Sequence, residues 1–324
     1  MKALVTGGGG YLGFAIVRAL LERGDEVSSL QRGSYPELER LDVHIHTGDI
    51  TNPLSVTKAS KNCDVIFHVA AKAGVWGNYE NYYQTNVAGT ENVLKACKEN
   101  NIGRLVYTSS PSVIFNGGDE ENVDESIDYP KCFFNHYQET KATAEKKVLA
   151  ANKPQLATIA LRPHLIWGPG DPHLIGRIME RASSGKLRLI QSGKLADTTY
   201  IDNAVSAHLL AADALQDKTT VSGKTYFITN GEPMVLTELI NKILSALAMP
   251  PVTKTLSPKT AYTIGAISEL VYKLFSIEKE PLMTRFVARQ LSCAHWYDIS
   301  AAKRDLNYEP RVSIEEGLQR IKVA

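Results

Sequence analysis

Apolar and polar positions along the chain follow two alternating periods. Short apolar runs at 2–6, 26–31, 43–47, 64–70, 104–109 and 156–162 read as strands. Between them, 11–23, 53–60, 79–100 and 135–152 repeat apolar residues every three to four positions and read as amphipathic helices. Strands separated by helices build βαβ units, so the sheet is expected to be parallel and covered on both faces. Runs such as DVIFHVAA (64–71) and LATIALRP (156–163) fit fully buried central strands. The alternation fades after about residue 165. A strand, KTYFITNG (224–231), and a helix over 236–248 then follow among proline-marked connections at Pro233, Pro250, Pro251, Pro258 and Pro281.

These elements predict an α/β chain. A Rossmann-type doubly wound parallel sheet takes residues 1–165. A smaller C-terminal α+β substrate lobe takes 166–324, interleaved with the last strands of the sheet. The longest apolar stretch, TAYTIGAISELVYKLF (260–275), falls short of the roughly 20 residues that span a bilayer and contains Glu269 and Lys273. Its apolar residues Tyr262, Ala266, Ile267, Leu270, Val271 and Leu274 recur at helical spacing. It reads first as a core helix, then as a wall or lid over an apolar substrate, and last as a helix on a membrane surface.

Composition narrows the class without naming a chemistry. The 324 residues are 44% hydrophobic and 22% charged, ordinary for a globular enzyme, and the net charge of +1 sets up no field for nucleic acid or an anionic membrane. Met1 and Lys2 lead directly into a strand-like run, so no signal peptide is expected. Cys63, Cys97, Cys132 and Cys293 lie far apart without C-x-x-C spacing and read as reduced thiols of a cytoplasmic protein. His44 and His46 alternate on one strand with no third ligand in reach, so no metal site is expected.

The first strand runs into TGGGGYLG (6–13), and a helical pattern begins at once. Strand, glycine turn and helix in that order are the context of a dinucleotide-binding turn. Gly7 takes the tight turn, Gly10 lets the backbone approach a pyrophosphate, and Gly13 lets helix and strand pack closely. The helix N-terminus at Tyr11 and Leu12 offers unpaired N–H groups to phosphates. Gly8 and Gly9 fall at variable positions of the motif. The second strand ends in Gln31 and Arg32, with no acid for the ribose hydroxyls of NAD. Arg32 suits a 2′-phosphate through paired charge-assisted hydrogen bonds, unless it is a solvated surface charge. The expected cofactor is NADP(H), with NAD(H) second. In TGDI (47–50), Asp49 and Ile50 meet the adenine, or Asp49 caps the next helix.

A second constellation lies in FNHYQETKATAEKK (134–147), where Tyr137 and Lys141 are four apart and share a helix face. A phenol of pKa near 10 is a poor acid at neutral pH, and a lysine cation one turn away lowers that pKa. In RLVYTSSPSVIF (104–115) a buried strand runs into Ser109 and Ser110, at the end of the sheet where ligands bind. A hydroxyl there can hydrogen-bond a substrate carbonyl. Tyr-x-x-x-Lys alone is most often an accident of spacing. Glycine turn, serine and Tyr-x-x-x-Lys in this order are far more specific.

In these motifs the chain resembles the extended short-chain dehydrogenases/reductases. TGGGGYLG, Ser109–Ser110, YQETK (137–141), YYQTNVAGTENVLKAC (82–97), LRPHLIWGPGD (161–171) and TYIDNAVSAHLLA (199–211) carry the resemblance across nearly the whole chain. Stretches such as AAKAGVWGNYENYYQTNVAGT, YFITNGEP, KTAYTIGA and SIEEGLQRI are similar to the 3β-hydroxysteroid dehydrogenase-like branch. Within it they resemble bacterial NADPH-linked reductases of 2-alkyl-3-oxoalkanoates that serve long-chain olefin formation. The resemblance implies that Tyr137 protonates the carbonyl oxygen as hydride arrives, and that Lys141 holds the nicotinamide ribose and lowers the tyrosine pKa. Ser110, the later of the pair, orients the carbonyl. Asn86 would bond strands four and five. Ala70 and Ala71 would contact the cofactor through the backbone, with Val69 where an asparagine or leucine is usual. Pro163 and His164 would begin the turn near the carboxamide. The resemblance also implies a homodimer through the helices at 79–100 and 135–152, working beside a β-lactone synthetase and a β-lactone decarboxylase.

A 2-alkyl-3-keto acid with two fatty chains, or another apolar ketone, needs a long apolar pocket and a cation for its carboxylate. Trp76, Tyr79, Trp167 and Phe286, with FSIEKEPLM (275–283), are candidates for the pocket, though each aromatic also fits a core. Lys72 is the candidate cation, with Arg177 and Arg285 behind it. The acidic run GDEENVDESID (118–128) reads as a solvated loop. Three rival readings stand beside this one. A 3β-hydroxysteroid or 4-carboxysterol dehydrogenase would use the same catalytic residues. A nucleotide-sugar epimerase would want polar and basic residues for a diphosphate in the C-terminal lobe. A sensor that binds NADPH without turnover would have little use for Tyr137 and Lys141.

Overall fold

The computed structural model describes residues 1–216 and 220–323. Seven strands form one parallel sheet: β1 (Lys2–Thr6), β2 (Glu26–Gln31), β3 (His44–Thr47), β4 (Val65–His68), β5 (Arg104–Thr108), β6 (Ala157–Pro163) and β7 (Lys224–Ile228). Their order is β7-β6-β5-β4-β1-β2-β3, and β7, from well beyond residue 165, pairs with β6. The first six lie within one or two residues of the predicted strands, the usual uncertainty of a boundary.

Helices cover both faces of the sheet, and β1 shows why its strands carry no polar alternation. Ala3 and Val5 join Ile16, Val17 and Leu20 of α1 (Tyr11–Glu22), while Leu4 joins Val93 and Ala96 of α2 (Gly89–Glu99) on the other face. Val148 of α3 (His136–Ala150) lies with Leu4, and Ala204 and Ala207 of α4 (Ile201–Ala214) lie with Val5. Burying each of these leucine, isoleucine and valine side chains stabilises the fold by about 1.5–3 kcal/mol. The chain order reverses at β1, which stands between β2 and β4. Connections leave β1 and β4 in opposite directions there, and a crevice opens at their carboxyl ends.

Three elements differ from the sequence expectation. The helix at 79–100 is helical throughout, but a π-helical stretch, Tyr83–Ala88, separates a short α-turn (Tyr79–Tyr82) from α2. A 3.6-residue period does not register such a wider turn, and π-turns gather at functional sites. The acidic run 118–128 is not a solvated loop. Glu120–Val123 is a strand pairing in parallel with His295–Tyr297, in a four-stranded sheet completed by Leu195–Ala196 and Met234–Val235. Glu120 is buried and accepts from the Tyr297 hydroxyl at 2.7 Å, Asp119 pairs with Lys194 at 2.5 Å, and Glu125 accepts the Phe227 N–H at 2.7 Å. These partners lie too far along the chain for composition to reveal them.

The third difference is α5 (Pro258–Leu274), expected first as core. It docks on α6 (Arg285–Gln290) through its small residues Ala261 and Gly265, and Glu269 binds Arg285 at 2.8 Å. A Cβ on Gly265 would stand 2.6 Å from the Thr284 carbonyl carbon, so only glycine permits this approach. The apolar stripe faces outward instead, with Leu270 68% and Leu274 74% exposed. Among the described residues no helix is long and apolar enough to cross a membrane.

Candidate active site

The glycine turn is built by close backbone approach. Gly7 has φ +75°, donates to the Leu30 carbonyl at 2.8 Å and accepts from the Gly10 N–H at 2.9 Å. A Cβ on Gly7 would come within 3.0 Å of the Ala70 backbone, and one on Gly13 would run into the Gly7 carbonyl. Gly10 is the N-cap of α1, and no side chain caps the helix there. Gly10, Tyr11, Leu12 and Gly13 at this helix start line the cleft, the position of an anion-binding helix N-terminus. Gly8 and Gly9 are not free positions, contrary to the motif's pattern. A Cβ on Gly8 would meet the buried Ser29 side chain, and one on Gly9 would meet the ring of Tyr35.

The turn after β4 is fixed from beneath. The Thr6 hydroxyl accepts the N–H groups of Val69 and Ala70, each at 3.2 Å, and so donates to His68 Nδ1 at 2.8 Å. Nε2–H of His68 then donates to Thr90 Oγ1 at 3.0 Å, and Thr90 donates to the Asn86 carbonyl at 2.6 Å. Burial lowers the His68 pKa to about 3, which keeps this tautomer neutral. Asn86 does not join β4 to β5. From the π-turn its Oδ1 accepts the Lys72 N–H at 2.7 Å, while Nδ2 donates to the Lys72 carbonyl at 3.1 Å and to Thr140 at 3.0 Å. It ties the loop after β4 to α3.

One cleft of about 690 Å³ gathers most of the candidate residues. At one end lie Gly7, Gly10, Tyr11, Leu12 and Gly13, with Gln31, Arg32, Asp49, Ile50, Ala70 and Ala71 beside them. Arg32 is exposed and makes no ion pair among the described residues. Asp49 is not a helix cap: the helix Pro53–Ala59 is capped by Asn52, which accepts the Leu54 N–H at 3.0 Å, while Asp49 accepts from Thr51 at 2.9 Å. The glycine cradle and the uncapped helix end fit a dinucleotide phosphate chain.

At the other end Ser110, Tyr137, Lys141, Pro163 and His164 share the cleft. Ser110 caps the short helix Pro111–Ile114, accepting from the Ser112 N–H at 3.2 Å and the Ser112 hydroxyl at 2.9 Å. Asn135 caps α3 by accepting the Gln138 N–H at 2.9 Å, which sets Tyr137 and Lys141 on its inner face. Lys141 is buried and donates to the Thr108 carbonyl at 2.6 Å, with its ammonium 4.2 Å from the Tyr107 ring centroid. Burial lowers its pKa to about 7, against the pull of Glu145 one turn on. For Tyr137, burial raises the pKa and a hydrogen bond from Ser110 opposes the rise. The expected lowering by Lys141 is absent, because that ammonium turns to Thr108 and Tyr107. His164 is buried, its pKa lowered to about 3 by that burial.

The pocket candidates separate. Phe286 and Arg177 line the cleft, but Lys72, Trp76, Tyr79, Trp167 and Arg285 do not. Trp167 is fully buried, donating to Thr198 at 3.0 Å and packing edge-on against Tyr200. Trp76 donates to the Ile277 carbonyl at 2.9 Å, and the Lys72 ammonium sits 5.1 Å from the Tyr82 ring centroid. Tyr35, Thr85, Val75, His173 and Tyr297 line the cleft without having been foreseen. Only Val75, in the loop that follows β4 at the carboxyl edge of the sheet, carried a positional signal.

A Rossmann sheet, a glycine cradle at its switch point and a Ser/Tyr/Lys group at its carboxyl edge define an NAD(P)-dependent oxidoreductase of the short-chain dehydrogenase/reductase type. The chain matches the 3-beta hydroxysteroid dehydrogenase/isomerase family over residues 4–257, and it belongs to that family. It is 49% identical to a 2-alkyl-3-oxoalkanoate reductase of Shewanella oneidensis, over 99% of this chain and 86% of that relative. It is 50% identical to a protein of the same name from Stenotrophomonas maltophilia, over 100% of this chain and 99% of that relative. Among solved structures, MoeE5 in complex with UDP-glucose and NAD shares the fold at a TM-score of 0.77 and 24% identity, covering 100% of this chain and 98% of that one.

Proposed function

We propose that this enzyme uses NADPH to reduce the 3-keto group of 2-alkyl-3-oxoalkanoic acids, giving 2-alkyl-3-hydroxyalkanoic acids. The observation that carries the reading is the near half identity, along essentially the whole chain, to two proteins named 2-alkyl-3-oxoalkanoate reductase. Leu165, Ile166, Leu174 and Phe286 give the cleft an apolar side suited to alkyl chains. Arg32, exposed after β2 and without an ion pair among the described residues, supports NADPH over NADH.

Bound NADPH supplies the hydride. Ser110 donates a hydrogen bond to the ketone oxygen and aligns it on Tyr137, whose hydroxyl gives up its proton to that oxygen as negative charge develops. A tyrosine whose pKa is raised by burial keeps its proton at neutral pH, which suits the reductive direction. Lys141, whose charge Glu145 favours against the cost of burial, would hold the nicotinamide ribose of the bound cofactor. The same reading includes a homodimer and a place in olefin formation beside β-lactone enzymes.

The experiment is a turnover assay of the purified protein. It offers a 2-alkyl-3-hydroxy acid in the oxidative direction, a 3β-hydroxysterol and a UDP-sugar, each with NADP and NAD. Turnover of the acid with preference for NADP is expected. Turnover of the sterol alone sinks the substrate reading, and a preference for NAD sinks the role of Arg32.

A further inference from the structure

Among the described lining residues of the cleft there are two arginines, Arg32 just after β2 and Arg177. Arg177 stands on the helix Ile175–Ser183 and donates from Nη1 to Glu280 Oε1 at 3.0 Å. The second oxygen of that carboxylate, Oε2, accepts the backbone N–H of Val75 at 3.4 Å. Gly74, at φ +112°, leaves room for it: a Cβ there would stand 3.3 Å from Oε2. Two segments far apart in the chain thus hold a carboxylate from a third, with a guanidinium on one oxygen and an amide on the other. The carboxylate is the protein's own. Arg177, Gly74 and Val75 line the same cleft as Ser110 and Tyr137.

We propose that this is the substrate's carboxylate site: Arg177 takes the acid group of the substrate, and Glu280 holds its place when no substrate is bound. The proposal rests on the keto-acid reading above. In a 3-keto acid the carboxyl carbon is two bonds from the ketone carbon, so its cation must face the same space as the groups that bind the ketone. The other basic candidates do not. Lys72 lies over Tyr82, and Arg285 is bonded to Glu269. The Arg177–Glu280 pair is partly exposed, with side chains 50% and 27% accessible, and ion pairs of that kind hold weakly. An incoming carboxylate replaces Glu280 on both donors and leaves neither unpaired, while Glu280 turns to water. Arginine suits the exchange, since its planar fork accepts either carboxylate in the same geometry. A neutral sterol has no group for this site.

The test compares a 2-alkyl-3-hydroxy acid with its methyl ester in the oxidative direction, because 3-keto acids lose CO₂ spontaneously. Arg177→Gln is expected to raise KM for the acid at least tenfold more than KM for the ester. Glu280→Gln is expected to lower KM for the acid threefold or more, without a matching gain for the ester, because the internal competitor is weakened. Cofactor binding by nicotinamide fluorescence reports the folded cleft in each variant. If Arg177→Gln loses that binding, Glu280→Gln alone decides. Equal changes for acid and ester, or a Glu280→Gln variant that binds the acid no better, overturn the site. A wild-type enzyme that turns over the sterol but neither acid nor ester overturns the substrate reading instead.

Discussion

Glu145 lies one helical turn beyond Lys141 on the buried face of α3 and is gripped from β6 by Arg162, at 2.6 and 3.1 Å. The Tyr129 hydroxyl adds a third hydrogen bond at 2.6 Å. Burial alone would raise the Glu145 pKa, yet the guanidinium outweighs it and holds the carboxyl below its usual range. The ionised carboxylate in turn keeps a cation favourable at Lys141. Taking away one partner of a buried pair strands the other, at a cost of about 3–5 kcal/mol. Arg162→Met should therefore lower unfolding stability on that scale in a urea titration. An unchanged midpoint would show that the pair contributes nothing.

Tyr137→Phe removes the proton donor and little else. General-acid contributions run to about 10²–10⁴ in rate, so kcat should fall by at least a hundredfold. Cofactor binding, followed by nicotinamide fluorescence, should persist because the glycine cradle and Lys141 are intact. Activity within tenfold of wild type would remove Tyr137 from the mechanism.

Asn86 bridges the Lys72 backbone and Thr140, and Asn86→Ala leaves the Lys72 N–H and carbonyl without those partners. Losing such partners costs about 1–3 kcal/mol at a fully buried group, and less at the half-buried Lys72 backbone. The expected readout is faster hydrogen exchange at residues 70–77, with a fall in kcat larger than any change in cofactor affinity. Unchanged exchange in that loop would mean the amide is not its anchor.

Acid should destabilise the protein through three buried histidines. Burial lowers the pKa of His68 and His164 to about 3, and that of His208 to about 4, from an ordinary value near 6.5. Between those limits the unfolded chain binds more protons than the native one, so stability rises with pH there. The stabilisation is whole above about pH 6.5 and is lost as pH falls toward 4, by up to ~1.4 kcal/mol per pH unit for each histidine. Urea midpoints measured between pH 7 and 5 should fall, and His208→Gln should flatten that slope. A midpoint independent of pH over this range would contradict the assignment of these rings as neutral.

The parallel sheet and the cofactor turn were legible because local periods and short covalent spacings carry them. Short continuous apolar runs located β1 to β6, and the Tyr137–Lys141 spacing put both on one face of α3 regardless of what packs beside it. The same logic failed for 260–275, where the period was right but its direction was not. Ala261 and Gly265 won the contact because small residues let backbones approach, and the larger apolar stripe was left outside. It failed again at Glu120, whose burial depends on His295 and Tyr297 about 175 residues away.

By itself, then, the sequence determined an α/β sheet, a glycine cradle and a tyrosine–lysine pair, since these follow from residues within a turn or a strand of one another. Tertiary structure alone decided that Lys141 turns to Thr108 rather than Tyr137, that Trp167 is core, and that Arg177 meets Glu280 at a distance of 103 residues along the chain. Such contacts depend on which faces pack and how closely, and no local period records that.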